Sequence, residues 1–211
     1  MAYFPLFTDI SHKNVLIVGG GSIALSRAKK LSLFCADITV ISDTFTKENL
    51  HAFSELPGVV TLCESFCKAH LKKLCPVLVA ICPGEGTGLC HEEIYELCKG
   101  EKIPVNVADV PHLCTFIFPA VTTKGHLSVG ISTSGCVPVA TSVLKQRIDS
   151  VIPQNIDTIL DGLSGIRQRI YKNVPDTERR KRILRTVTEI CFERDCVISE
   201  RELEEIIKNS I

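Results

Sequence analysis

The run Val15-Leu16-Ile17-Val18-Gly19-Gly20-Gly21-Ser22-Ile23-Ala24 decides the fold. Four apolar residues ended by three glycines describe a short strand buried on both faces. The residues after it carry Ala24, Ala28 and Leu31 at helical spacing, with Arg27, Lys29 and Lys30 on other faces. Gly19 to Ala24 fits G-x-G-x-x-A at a strand-to-helix junction, the context in which that pattern carries weight. Gly19 permits the tight turn, Gly21 lets backbone approach a pyrophosphate, and Ala24 lets helix and strand pack closely. The ligand's phosphates would then sit on the positive end of a helix starting near Ser22 and Ile23.

Outward from this loop, strand and helix patterns alternate: strands at Ile38–Ile41, Val59–Leu62, Val77–Ile81 and Val105–Val107, with helices at Lys68–Leu74 and Glu92–Lys99. Such alternation implies a parallel sheet with right-handed crossovers. Asp43 closes the second strand 24 residues after Gly19. It is placed to accept hydrogen bonds from a ribose hydroxyl and to favour NAD over NADP; the alternative is that it only caps Thr44–Leu50. After the fifth strand the pattern changes. Thr115–Val121 and His126–Ile131 flank Thr123-Lys124-Gly125 as a hairpin, Val139–Val151 is helical, and the chain beyond Pro153 is all helix. There, Asp176 or Thr177 could cap one helix, and Ser199 with Glu202 forms a capping box for the last. The expected architecture is an α/β, Rossmann-like parallel-sheet domain (residues 1–112), a small β-rich dimerisation segment (113–152) and a helical C-terminal domain (153–211).

Composition narrows the function classes. The 211 residues hold 24 Lys+Arg against 24 Asp+Glu, which argues against a phosphate-tracking nucleic-acid binder. Apolar runs such as Pro76–Cys82 fall far short of the ~20 residues that span a bilayer, and no leader pattern opens the chain, so a cytoplasmic protein is expected. Eleven cysteines include no C-x-x-C pair and no zinc-ligand spacing. Most of them read as small buried hydrophobes in a reducing compartment.

Five motifs occur together and in order: Tyr3-Phe4-Pro5-Leu6-Phe7, the Val18–Ala24 loop, Asn106-Val107-Ala108-Asp109 with Pro111, Phe116-Ile117-Phe118-Pro119-Ala120, and Ser132-Thr133-Ser134-Gly135 with Pro138. In this the chain resembles the precorrin-2 dehydrogenase / sirohydrochlorin ferrochelatase family, the free-standing counterpart of the N-terminal part of siroheme synthase. The resemblance covers about residues 3–150. It implies NAD-dependent oxidation of precorrin-2 to sirohydrochlorin, with ferrous iron inserted at the same site in some members, and a homodimer joined through the middle hairpin region. It makes Asp109 the catalytic acid/base and places Thr133 where the family has a functional serine. Ala80-Ile81-Cys82-Pro83-Gly84 stands where most members carry Ala-Ala-Thr-Asp/Asn-Asp beside the cofactor, which makes Cys82 and Pro83 the cofactor-facing residues of that loop. His91 replaces the Asn on the next helix, and Ser134 and Val137 replace a Gly and a Ser.

Asp109 directly follows the fifth strand, at the carboxyl edge where open α/β sheets bind ligands. Asn106 shares its motif, and His112 and Cys114 lie within five residues of it. No tight set of His, Cys or carboxylates marks a resident metal, so iron would be substrate-borne. An anionic tetrapyrrole needs positive charge in its cleft. Candidates are Arg27, Lys29, Lys30, Lys124, His126, Lys145, Arg147 and the basic run Lys172–Arg185, whose plainer reading is a solvated helix face. Two rival readings stay open: a chelatase without redox function, and a non-catalytic dinucleotide- or tetrapyrrole-binding regulator.

Overall fold

Five parallel strands form the first sheet: β1 (Asn14–Val18), β2 (Asp37–Ser42), β3 (Val59–Cys63), β4 (Leu78–Ile81) and β5 (Val105–Val107), in the order β3-β2-β1-β4-β5. The computed structural model describes residues 3–34, 36–82 and 89–210. Pro83 and Gly84 of the fourth-strand loop, and Cys35, therefore lie outside the described residues. Helices α1 (Ser22–Ser32), α2 (Lys47–Ser54), α3 (Lys68–Leu74) and α4 (His91–Gly100) connect the strands. The alternation of β1 shows why this sequence makes a doubly covered sheet. Val15 and Ile17 pack with Ala24, Ala28 and Leu31 of α1 and Phe53 of α2. Leu16 and Val18 pack with Leu71 of α3 and with Ile94 and Cys98 of α4. A strand apolar from Val15 through Val18 needs helices on both faces, and the four helices supply them in pairs.

The chain divides into two compact units after Phe118. The second contains the hairpin β6 (Ala120–Lys124) and β7 (Leu127–Ile131), then α5 (Pro138–Val151), α6 (Ile156–Asn173), α7 (Thr177–Glu193) and α8 (Glu200–Asn209). Ile159, Ile170, Ile183, Val187, Cys191 and Leu203 form its core. The caps follow the sequence signals: Asp176 accepts from Arg179 N at 2.7 Å, and Ser199 with Glu202 closes α8.

Three expectations are corrected. The hairpin begins at Ala120 and not at Thr115, and its turn is Gly125-His126 with Lys124 facing Leu127. Thr115 instead lies against β5: its N–H donates to Val105 O at 2.8 Å, and its hydroxyl accepts from Val105 N–H, also at 2.8 Å. Gly125 has φ +52, which suits the first position of a two-residue hairpin turn, and a Cβ there would run into the Asp157 carboxylate. Second, Thr46 and not Asp43 caps α2, accepting from Asn49 N at 3.1 Å. Third, the cysteines are mostly not core residues. Cys82, Cys98 and Cys191 are buried, whereas Cys63, Cys67, Cys75, Cys90, Cys136 and Cys196 are exposed. Several of these stand at element ends where a small polar group bonds backbone: Cys67 and Cys90 at the N-caps of α3 and α4, and Cys75 at the C-cap of α3. Periodicity cannot separate a cysteine that fills a core from one that serves a cap.

Candidate active site

Register places every strand end on one edge. Val18 pairs with Ile41 and Ile81, Ile81 with Val107, and Ser42 with Cys63. The residues that follow (Glu64, Asp43, Gly19, Cys82 and Ala108) therefore stand side by side at the carboxyl edge in sheet order. The chain winds one way from β1 through β2 to β3 and the other way from β4 to β5, so the reversal lies between β1 and β4. Ligands of open α/β sheets bind at that crevice.

The glycine loop sits there. Gly19 has φ +116, its N–H donates to Ile41 O at 2.8 Å, and a Cβ would collide with the Cys82 carbonyl. Gly20 is buried, and a Cβ on it would lie 2.6 Å from Thr44 O. Its carbonyl accepts from Asn49 Nδ2 at 3.1 Å. Gly21 differs from both. Its φ of −85° suits any residue, and a Cβ would meet nothing within 4 Å. Among the described residues no side chain caps α1 and no acidic residue stands in its first turn, so the helix begins with the N–H groups at Ser22 and Ile23 at an uncapped positive end. Ala24 and Ala28 are fully buried beneath it, as close helix–strand packing requires.

Asp43 is exposed on the β2 side of the crevice, where its Oδ2 accepts from Ser65 Oγ at 3.4 Å. Asp109 is on the β5 side. Three strand spacings separate β2 from β5, about 14 Å, a span suited to an extended dinucleotide lying across the edge. This loop, with its open helix start and its strand-end carboxylate, fits a dinucleotide.

Asp109 is exposed and has φ +62. It occupies the third position of a turn closed by Val110 N–H donating to Val107 O at 3.3 Å, where Gly or Asn is the ordinary choice. Arg27 of α1 interacts with Asp109 electrostatically. The guanidinium stacks 4.2 Å from the centre of the Phe118 ring, and burial lowers its pKa while Cys82, Asp109 and Cys114 pull it back up. Arg27 is thus half-buried, stacked on Phe118 and within electrostatic reach of Asp109. Cys82, with its thiol pushed up to about 12 by burial, stays protonated and serves this crevice through its backbone.

Asn106 is buried and its amide donates to Phe116 O at 3.0 Å, while Cys114 Sγ donates to Val107 O at 3.1 Å. Together with Thr115 these groups pin the 114–116 segment along the free edge of β5 and so fix the turn that carries Asp109. His112 is exposed on a 3₁₀ turn (Pro111–Leu113) and interacts electrostatically with Glu92 of α4.

Lys124, Thr133 and Ser134 belong to the second unit. Lys124 Nζ donates to Ile152 O at 3.1 Å, neutralising the end of α5. Thr133 Oγ1 lies 2.9 Å from Thr141 Oγ1. Ser134 and Gly135, at φ +54 and +81, form the tight turn that leads into α5. The basic run supports its plainer reading: Arg179 donates to Ile207 O, Arg180 to Val174 O and Pro175 O, Lys181 pairs with Glu178 and Arg185 with Glu189. Arg27 is the residue that sequence reading undervalued. It was one basic side chain among many, and its only distinguishing signal, the aromatic Phe118, lies 91 positions away. Among the described residues no cluster of three or more His, Cys, Asp or Glu could hold a metal ion, and no helix is long and apolar enough to cross a membrane.

Comparison with known proteins adds three findings. The family described as "Putative NAD(P)-binding" matches residues 6–120. The siroheme synthase of Pseudoalteromonas translucida is 33% identical over 172 residues, 81% of this chain and 35% of that protein. That of Thioalkalivibrio sulfidiphilus is 32% identical over 182 residues, 86% of this chain and 36% of that protein. The chain thus spans about a third of the length of the curated relatives it matches. Among solved structures, SirC, a precorrin-2 dehydrogenase, superposes with a TM-score of 0.67 at 20% identity, covering 99% of this chain and 98% of its own, and shares the fold.

Proposed function

The chain belongs to the NAD(P)-binding family that its residues 6–120 match, and from that premise we propose that it is an NAD-dependent precorrin-2 dehydrogenase, forming sirohydrochlorin. The observation that carries the reading is Asp109, within electrostatic reach of Arg27, on the same strand-end edge as the uncapped start of α1. The names of the relatives, siroheme synthase and precorrin-2 dehydrogenase, supply the substrate class. Gly19, Gly20, Gly21, Ser22 and Ile23 hold the pyrophosphate, and Asp43 receives the ribose hydroxyls and selects NAD over NADP by repelling a 2′-phosphate. When bound, the nicotinamide supplies a hydride acceptor. The protein's own part is the proton: the Asp109 carboxylate accepts it from the macrocycle.

In the first unit His112 and Asn106, and in the second Thr133, Ser134 and Lys124, are the proposed substrate-binding residues, with ferrous iron as a second, substrate-borne reactant. The protein is proposed to act in the cytoplasm as a homodimer through the 113–152 segment. In support, α5 buries none of its described side chains and exposes Val139, Val143 and Leu144.

The deciding assay mixes the purified chain with precorrin-2 and NAD and follows NADH fluorescence together with the sirohydrochlorin spectrum, with and without ferrous iron. Turnover is expected with NAD. In Asp109→Asn the rate should fall by about 10²- to 10⁴-fold with NAD affinity unchanged. Near-normal turnover in that variant removes the acid/base role, and no turnover in the unmodified chain, with or without iron, sinks the enzyme reading.

A further inference from the structure

Of the cations available to an anionic ligand, Arg27 and Lys30 stand apart. They lie three positions from one another on α1, so their side chains share one face of the helix. Both are partly buried. The Arg27 guanidinium stacks 4.2 Å from the centre of the Phe118 ring, and Phe118 is itself packed against the core that contains Ala24 and Ala28. Among the described residues neither cation makes a hydrogen bond or an ion pair. The groups that act on Arg27 from a distance are Cys82, Asp109 and Cys114, beside the carboxyl ends of β4 and β5. Burial, and then the neighbouring Arg27, hold the Lys30 ammonium below the ordinary lysine value, and no acidic group offsets them.

This arrangement costs the free protein stability. Like charges at i, i+3 repel, and a cation drawn partly out of water without an acceptor loses solvation that nothing returns. Partly buried cations elsewhere in the chain are paired: Lys145 with Asp149, and Arg169 with Glu200 and Glu204. An anion arriving with a ligand would supply the missing partner. The pyrophosphate is not that anion. It belongs at the first-turn N–H groups, whereas Lys30 starts about 12 Å along the axis from Ser22, further than a lysine side chain reaches back.

We propose that Arg27, Lys30 and Phe118 form a carboxylate subsite for the tetrapyrrole, separate from the pyrophosphate site, in which the two cations take acid arms on one rim of the macrocycle. The subsite rests on the function proposed above and names the residues that hold the substrate's charge. The guanidinium offers a fork of N–H donors to one carboxylate, and the ammonium gives a point charge to a neighbouring one. Stacking on Phe118 holds the guanidinium in place before the ligand arrives, so little side-chain freedom is lost on binding.

The test titrates sirohydrochlorin, the proposed product, into the full chain without NAD and follows its absorbance. Arg27→Met and Lys30→Met keep an apolar stem and should each weaken binding about tenfold, the worth of one charge-assisted hydrogen bond. Lys29→Met removes the same charge from an exposed position of the same helix and should shift binding by no more than about twofold, because exposed charges are screened. NAD affinity should hold at the parent value in all three variants. Ligand-free Lys30→Met should unfold at or above the parent temperature, since it relieves a like-charge contact; a lower temperature marks a structural role and overturns the subsite. Unchanged sirohydrochlorin binding in either Arg27→Met or Lys30→Met, an equal loss in Lys29→Met, or a loss of NAD affinity instead also overturns it, with the dehydrogenase reading intact. A parent chain that neither binds sirohydrochlorin nor turns over precorrin-2 sinks both.

Discussion

Two kinds of helix start coexist in this protein. Helices α2, α7 and α8 begin behind Thr46, Asp176 and Ser199, each of which accepts from a backbone N–H of the first turn. Helix α1 begins at Gly21 with no side-chain cap and no acidic residue in its first turn. Helix α5 also lacks a cap, but Pro138 at its first turn has no N–H to satisfy. Unpaired N–H groups at a helix start cost stability unless something accepts from them. On the function proposed above, the difference leaves the start of α1 free to receive an anion.

The largest effect expected from that contrast is on binding. Gly21→Val places a side chain in the open space before α1, where the backbone already has φ −85° and nothing stands within 4 Å. The fold should be unaffected, within about 0.5 kcal/mol, as at surface positions generally. NAD affinity should drop by at least about tenfold, because the pyrophosphate can no longer approach backbone. Gly19→Ala is its mirror image. At φ +116 and against the Cys82 carbonyl, the added methyl should destabilise the protein by about 1–3 kcal/mol. Calorimetric titration and thermal melts of both variants separate the roles, and a Gly21→Val protein that binds NAD normally would close the open start as an explanation.

A smaller effect belongs to a sealed start. Thr46→Ala removes the acceptor for Asn49 N–H and should cost about 1 kcal/mol by urea denaturation. Asn49 also donates to Gly20 O, so the variant loosens the support of the glycine loop without touching its anion-facing side. NAD affinity should therefore change far less than in Gly21→Val. Equal losses in the two variants would show that α1 is no more specialised for anions than its neighbours.

The sequence made the sheet legible because its signals are local. Four-residue apolar runs such as Val15–Val18 and Ile38–Ile41 leave little choice, and the glycine pattern between β1 and α1 marks the crevice directly. The place of Asp109 at the carboxyl edge was legible from the strand before it, and its proposed role came from the family resemblance. What escaped depends on partners distant in sequence. Thr115 has the look of a strand residue, yet its hydroxyl takes up Val105 N–H and holds 114–116 out of the hairpin. Lys124 resembled a free cation and is bound to Ile152 O. Arg27 needed Phe118 beneath it to stand out. Hydrophobic period predicts which face is buried, but not which polar atom a side chain will meet there.

The gentlest way to probe the contrast is with protons, at the best-sealed start. Glu202 accepts from the backbone N–H and then the hydroxyl of Ser199, with Arg194 alongside, and these hold its carboxyl down to about 2. Since the folded state favours the charged form, Glu202 contributes stability above its ordinary value near 4.5 and loses it as pH falls from there toward about 2. Unfolding experiments should thus show α8 weakening within that window, and Ser199→Ala should move the Glu202 titration, followed by NMR of its side-chain carboxyl, back toward 4.5 while flattening the acid limb. Helix α1 has no carboxylate in its first turn, so its start should be indifferent to acid over the same range. If the two helix starts lose protection from hydrogen exchange together, their chemistry is not as different as their caps are.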